Sequence, residues 1–233
     1  MRVLILAPMK VELSPVVRAL GLTKTGDRRG AHAGTFAGVE VTATLAGVGP
    51  AEALAATQWG LESYSPDHVI VSGIAGGMRS DLQIGDLVTP SETVSADTGR
   101  VCQPVGVGDD RPSGRIVTTA ALLAMAELQS YAAEGAVAVD METAAVGAGC
   151  EDAGVAWTAY RGISDLVSDG LVDDRSLSMV KPDGTTNVAE VVKVIVSRPW
   201  TMARMARLGR DTQRATTAAA QATARAVTAL GRG

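Results

Sequence analysis

The residues with the most chemistry to offer lie in two acidic segments, each at the end of an apolar run. The first is Val139-Asp140-Met141-Glu142-Thr143-Ala144-Ala145-Val146, and about twenty residues on comes Arg161-Gly162-Ile163-Ser164-Asp165. A carboxylate beside buried apolar chain is costly unless something binds it. Residues 136–139 read as a short buried strand, with Glu142 in the first turn of an alanine-rich helix. Residues 155–160 read as the next strand, which delivers Arg161, Ser164 and Asp165 to its C-terminal end. In open α/β sheets ligands bind at the carboxyl ends of strands, so both carboxylates are expected to face one crevice. Two carboxylates and an arginine suit chemistry that develops positive charge on a sugar and then protonates a leaving group.

The elements that must hold these residues follow from apolar periodicity. A continuous, partly β-branched run predicts a buried parallel-type strand over 2–6. Helical spacing of Val11, Leu13, Val16, Val17 and Leu20 predicts a helix over 10–20. Alternation around Gly34 and Gly38 predicts a hairpin within 30–45, and a helix is expected over 50–63. A strand over 67–72 should empty into a turn at Gly73–Gly77. Further strands are expected from Gly85 and over 116–119. Strands alternating with helices indicate an α/β sandwich around a mixed sheet. The segments 106–113 and 168–184 are rich in turn residues and read as loops, the second as a lid or excursion. From about residue 198 a helical tail is expected, with proline tolerated in its first turn. Between Trp200 and Leu230 it carries five arginines against a single acid, Asp211. It reads as a solvated terminal helix packed on the domain by Trp200, Met205 and Leu208.

Bulk properties narrow the function. The 233 residues suit one domain over 1–233 with a sizeable core. With Lys+Arg at 21 and Asp+Glu at 25 the net charge is −4, which argues against a nucleic-acid partner. Cys102 and Cys150 offer neither metal-ligand spacing nor a disulfide framework, so no metal is expected and a reducing cytoplasm fits. No apolar stretch approaches membrane-spanning length, and no membrane partner is expected. Gly47-x-Gly49 and Gly73-x-x-Gly76 do not form the dinucleotide fingerprint after the first strand, and no cofactor is implied.

Five segments in order carry a resemblance: Leu4 to Glu12 (LILAPMKVE), Ala46 to Pro50 (AGVGP), Ser72 to Gly77 (SGIAGG), VDMETAAV and RGISD. Together they resemble the nucleoside phosphorylase and nucleosidase superfamily, in particular the methylthioadenosine/S-adenosylhomocysteine nucleosidases. The resemblance implies a three-layer α/β/α sandwich around a mixed central sheet, a homodimer, and cleavage of the N-glycosidic bond of a purine nucleoside, adenine being the expected base. It implies Asp165 as the general acid at the leaving base, with Ser164 orienting it. It implies Glu142 as the holder of the ribose hydroxyls, Met141 under the sugar face, and Glu12 as the carboxylate that activates water. Arg161 is compatible with positioning water or contacting phosphate. Gly73, Ile74, Ala75 and Gly76 are implied to line the ligand.

Two departures bear on specificity. Ile74 stands where these nucleosidases commonly place serine, and in this it is similar to hopanoid-associated adenosine phosphorylases, as is the Asp183-Gly184…Arg198-Pro199 pattern. Leu122, followed by Leu123, stands where relatives stack an aromatic ring on the purine, so the base contact is apolar without stacking. The leading expectation is a hydrolase acting on a small-molecule nucleoside with water as co-substrate. The alternatives are a phosphorylase using phosphate and a non-catalytic nucleoside-binding module. Lys10 and Arg18 are the cations nearest Glu12 in sequence.

Overall fold

The computed structural model describes residues 1–27, 29–121, 123–166 and 202–232, with side chains from Arg207 onward in the last segment. Strand β1 (Arg2–Ala7) shows why the molecule is layered. Alternate side chains point to opposite faces, and Val3, Ile5 and Ala7 join one apolar cluster while Leu4 and Leu6 join another. Both faces must therefore be covered. Helix α1 (Lys10–Leu20) covers the first face through Leu13, Val16 and Leu20. Helix α2 (Pro50–Tyr64) and helix α4 (Thr143–Asp152) cover the second through Ala53, Ala56, Val146 and Cys150.

The remaining strands are β2 (Thr23–Lys24), β3 (His32–Phe36), β4 (Val39–Leu45), β5 (His68–Gly77), β6 (Leu87–Val88) and β7 (Glu92–Ser95). These are followed by β8 (Val101–Cys102), β9 (Arg115–Thr118), β10 (Ala136–Asp140) and β11 (Ala156–Leu166), with helix α3 (Met125–Ala133) between β9 and β10. The sheet order is β2-β3-β4-β1-β5-β10-β9-β7-β8, and β11 pairs with both β5 and β6. Parallel pairs (β1 with β4 and β5, β11 with β5) and antiparallel ones (β3 with β4, β10 with β5) coexist, so the sheet is mixed. With helices on both faces, this is the expected three-layer α/β/α sandwich.

One feature of β5 positions the site. Strand β11 follows it along one edge from His68 to Gly77. On the other edge β1 pairs only as far as Val71, and β10 takes over at Gly76. Between them the sheet parts, leaving backbone at Ser72–Ala75 available to side chains. The expected turn at Gly73–Gly77 is thus corrected: these residues continue the strand. Glycine is needed at 73 for room, since a Cβ there would lie 2.3 Å from Arg161 Nη1 and 2.4 Å from Glu12 Oε1.

Three further expectations change. Strand β11 runs on to Leu166, so Arg161, Ser164 and Asp165 lie within it, and a bulge between Ile163 and Asp165 shifts the register. Glu142 is the N-cap of α4, one position before the first turn. The C-terminal helix α5 (Met202–Leu230) belongs to the core. Ala219 and Ala226 are 1% exposed, and Ala215, Ala222 and Val227 are fully buried. Its approach is so close that a Cβ on Gly162 of β11 would sit 2.1 Å from the Ala215 carbonyl oxygen. Leu208 is only half-buried, and Trp200 lies outside the described residues, as does the side chain of Met205. The segment 168–184, Arg198 and Pro199 also fall outside them.

Candidate active site

At the parting of the sheet four charged side chains meet, none more than 6% exposed: Glu12, Asp140, Glu142 and Arg161. Each arrives from a different element. Arg161 projects from β11 opposite Gly73, Asp140 ends β10, Glu142 caps α4 and Glu12 sits in the first turn of α1. Arg161 Nε lies 2.9 Å from Asp140 Oδ2 and donates to Thr143 Oγ1 at 2.8 Å. Its Nη2 donates to Glu142 Oε2 at 3.2 Å, while Nη1 stands 3.8 Å from Glu12 Oε1 and has no hydrogen-bond partner.

Backbone amides hold the carboxylates in place. Glu12 accepts from Met9 N at 2.8 Å through one oxygen and from Ile74 N at 2.9 Å through the other. It is the β5 amide freed by the sheet parting that Glu12 uses. Glu142 Oε1 accepts from Gly49 N at 3.0 Å, which ties the AGVGP segment to the site. Asp140 Oδ1 accepts from Thr118 Oγ1 at 2.6 Å, and its other oxygen accepts from the Thr143 hydroxyl.

Burial governs the protonation of this group. It pushes the Glu12 carboxyl up to about 8, against the pull of Arg161 and of the Ile74 and Met9 amides. Burial likewise raises Glu142 to about 7, with Arg161 opposing and Asp140 adding to the rise. For Arg161 burial works against the charge, but Asp140, Glu142 and Glu12 outweigh it and its pKa is raised.

Asp165 stands at the far end of the same strand pair. Arg161 is in register with Gly73 and Asp165 with Gly76, three steps or roughly 10 Å along the strand. The Ser164 hydroxyl donates to Asp165 Oδ1 at 2.6 Å, so the serine orients the carboxyl. Ile74 and Gly76 are partly exposed and Ala75 is buried along the intervening stretch of β5, with Met141 partly buried between Asp140 and Glu142. Leu123, half-buried beyond β9, makes no bond to the cluster, and Leu122 lies outside the described residues. Sequence reasoning nominated neither Asp140, Thr143 nor Thr118 for the site. Threonine beside a buried arginine carries no spacing signal, and only the fold brings β9, β10 and α4 together.

Among the described residues no grouping of His, Cys, Asp and Glu could hold a metal ion, and no helix is long and apolar enough to cross a membrane. The phosphorylase superfamily matches this sequence over residues 2–124 and 110–197. The chain belongs to that superfamily. A superfamily relative, the 5′-methylthioadenosine/S-adenosylhomocysteine nucleosidase of Chromohalobacter salexigens, is 29% identical over 230 residues, covering 84% of this chain and 97% of its own. The enzyme of the same name from Shewanella oneidensis is 29% identical over 216 residues, 78% of this chain and 91% of its own. Among solved structures, the Neisseria meningitidis nucleosidase of that name, in complex with methylthio-immucillin-A, superposes with a TM-score of 0.72 at 19% identity, covering 97% of this chain and 98% of that one. The Helicobacter pylori futalosine hydrolase gives 0.70 at 15% identity, with 97% of each chain covered. At these identities the likeness is one of fold.

Proposed function

We propose that the protein hydrolyses the N-glycosidic bond of a purine nucleoside, with adenine as the base. The observation that carries this reading is the buried cluster of three carboxylates on one arginine, with Asp165 about 10 Å along the same strand pair. Glu142 accepts the ribose hydroxyls and offsets the positive charge that builds at C1′ as the bond breaks. Asp165, steadied by Ser164, protonates the departing base. Glu12 takes a proton from the attacking water, and Arg161, with one donor on Nη1 left over, holds Glu12 and Glu142 in position. Met141 packs beside the sugar, and Ile74, Ala75 and Gly76 form the wall between sugar and base.

Electrostatics favour water over phosphate as nucleophile. Phosphate at this place would face Glu12, Asp140 and Glu142, and the arginine in contact is already engaged by all three. Once Glu12 is ionised, as its part as base requires, two like charges at ~4 Å cost about 4 kcal/mol at an effective dielectric near 20. The test is incubation with adenosine, 5′-methylthioadenosine and inosine in phosphate-free buffer, following base release. Release with formation of free or 5′-substituted ribose is expected. Turnover that requires phosphate and yields ribose 1-phosphate would replace this reading with phosphorolysis, and binding without turnover would leave only a nucleoside-binding module. The functional unit is proposed to be a homodimer, with sedimentation at micromolar concentration as the check.

A further inference from the structure

The amides that open a helix have no partner within it, and an N-cap side chain usually meets them. In α4 the N-cap is Glu142, yet its side chain makes no bond to the helix. Its two oxygens are engaged elsewhere, by Gly49 N at 3.0 Å and Arg161 Nη2 at 3.2 Å. The positive end of a helix attracts a carboxylate this close. Something else must therefore satisfy α4 if Glu142 is to face the site.

Two residues from neighbouring strands do so. Asp140 Oδ1 accepts from Glu142 N and from Thr143 N, each at 3.3 Å. Ala144 N donates to Thr118 Oγ1 at 2.9 Å. The next two amides, Ala145 N and Val146 N, already donate to the Glu142 carbonyl at 3.0 Å. The Thr118 hydroxyl also donates to Asp140 Oδ1 at 2.6 Å, so one group joins β9, β10 and α4.

The backbone fixes its place. Thr118 ends β9, in register with Asp140 of β10 and Ser95 of β7. Ala96 N donates to the Thr118 carbonyl at 2.8 Å, and Thr119 N to the Asp140 carbonyl at 3.0 Å. Thr118 is 1% exposed, so without its hydroxyl the Ala144 amide is buried and unmet.

We infer that Thr118 is a positioning residue: by capping α4 from the adjacent strand, it releases Glu142 from its own helix and leaves that carboxylate to the ribose hydroxyls. The capping stands on the geometry alone, and the effect on the ribose rests on the N-glycosidase reading of the cluster. Valine at 118 keeps the shape and offers no acceptor. An unmet buried amide is a penalty of roughly tenfold to a hundredfold in an equilibrium. Glu142, at the N-cap, is placed to relieve it.

The first measurement is the crystal structure of Thr118→Val, which should show the Glu142 carboxylate turned from Gly49 N to Ala144 N. The second is kcat/KM for adenine release from adenosine and from 2′-deoxyadenosine, in the natural protein, Thr118→Val and Thr118→Ser. The valine variant should lose at least about tenfold with adenosine, and its loss with 2′-deoxyadenosine should be at least about threefold smaller, because one hydroxyl partner of Glu142 is already missing. Serine keeps the hydroxyl and should restore both values. A merely structural role would slow the two sugars equally.

Glu142 still on Gly49 N in the variant crystal, equal losses with both sugars, or a serine variant as slow as valine would each overturn the inference. Should Thr118→Val fail to fold, Thr118→Ala is measured in its place, and failure of both to fold would make Thr118 structural and overturn it too. If the natural protein releases adenine from neither nucleoside the hydrolase reading fails, and the variant crystal structure alone decides whether Thr118 keeps Glu142 off its helix.

Discussion

With one guanidinium among three buried carboxylates, the cluster carries surplus negative charge unless it takes up a proton, and each side chain around Arg161 bears on that balance. Thr143 shows how finely it is set: its hydroxyl donates to Asp140 while accepting from Arg161 Nε at 2.8 Å. Thr143→Val keeps the shape and removes the bridge. Its kcat should fall by about tenfold, the size of one lost hydrogen bond to a charged group, with KM little changed. Thr143→Ser should restore kcat, and a serine variant as slow as the valine one would reduce Thr143 to packing. The role proposed for Asp165 is different, because a general acid's proton is needed only as the base departs. Asp165→Asn should cut base release at least about a hundredfold while leaving nucleoside binding within about tenfold. A smaller loss in single-turnover measurement would remove Asp165 as the acid.

Elements explain which parts of this arrangement were readable in the chain. Strand β1 and helix α1 match their expected ranges because an apolar run and a capped amphipathic stretch are local signals. The continuation of β5 through Gly73–Gly77 was not readable, since clustered glycine looks like a turn until a partner strand and two buried side chains need the space. Helix α5 misled for a related reason. Alanine, threonine and arginine read as a solvated surface, yet small residues are what let a helix backbone rest on β11. Here Thr223 Oγ1 donates to Ser72 Oγ at 2.9 Å inside the core. Gly162→Ala tests that contact, because the new methyl meets a backbone carbonyl that cannot turn aside. Overpacking of about 1–3 kcal/mol should lower Tm by about 5 °C. Gly106→Ala, where a Cβ meets nothing within 4 Å, is the control. Equal melting of the two variants would mean that α5 does not bear on β11 as described.

At the scale of the whole molecule, the proposed mechanism makes the raised carboxyls couple stability to activity through the same protons. Glu12 holds its proton up to about 8 in the folded, ligand-free protein, against 4.5 for an ordinary glutamate. A group that binds protons more tightly when folded stabilises the fold below its unfolded pKa, and that contribution is lost as pH rises through the folded value. Glu142 acts in the same direction up to about 7. Buried His68, lowered to about 4, acts in the opposite direction between there and 6.5. The interval from 6.5 to 8 therefore reports the two glutamates with the least interference. Across it, Tm of the ligand-free protein should fall as pH rises, and Glu12→Gln, which has no proton to lose, should show a shallower slope. Over the same interval kcat/KM should rise, because it follows the free enzyme and, in the proposed mechanism, Glu12 must be ionised to take a proton from water. Opposed slopes of Tm and kcat/KM, both flattened in Glu12→Gln, are the expected signature. A Tm that rises with pH from 6.5 to 8, or a kcat/KM already level at 6.5, would mean that Glu12 is ionised in the resting site, and its part in the pH dependence would have to be given up.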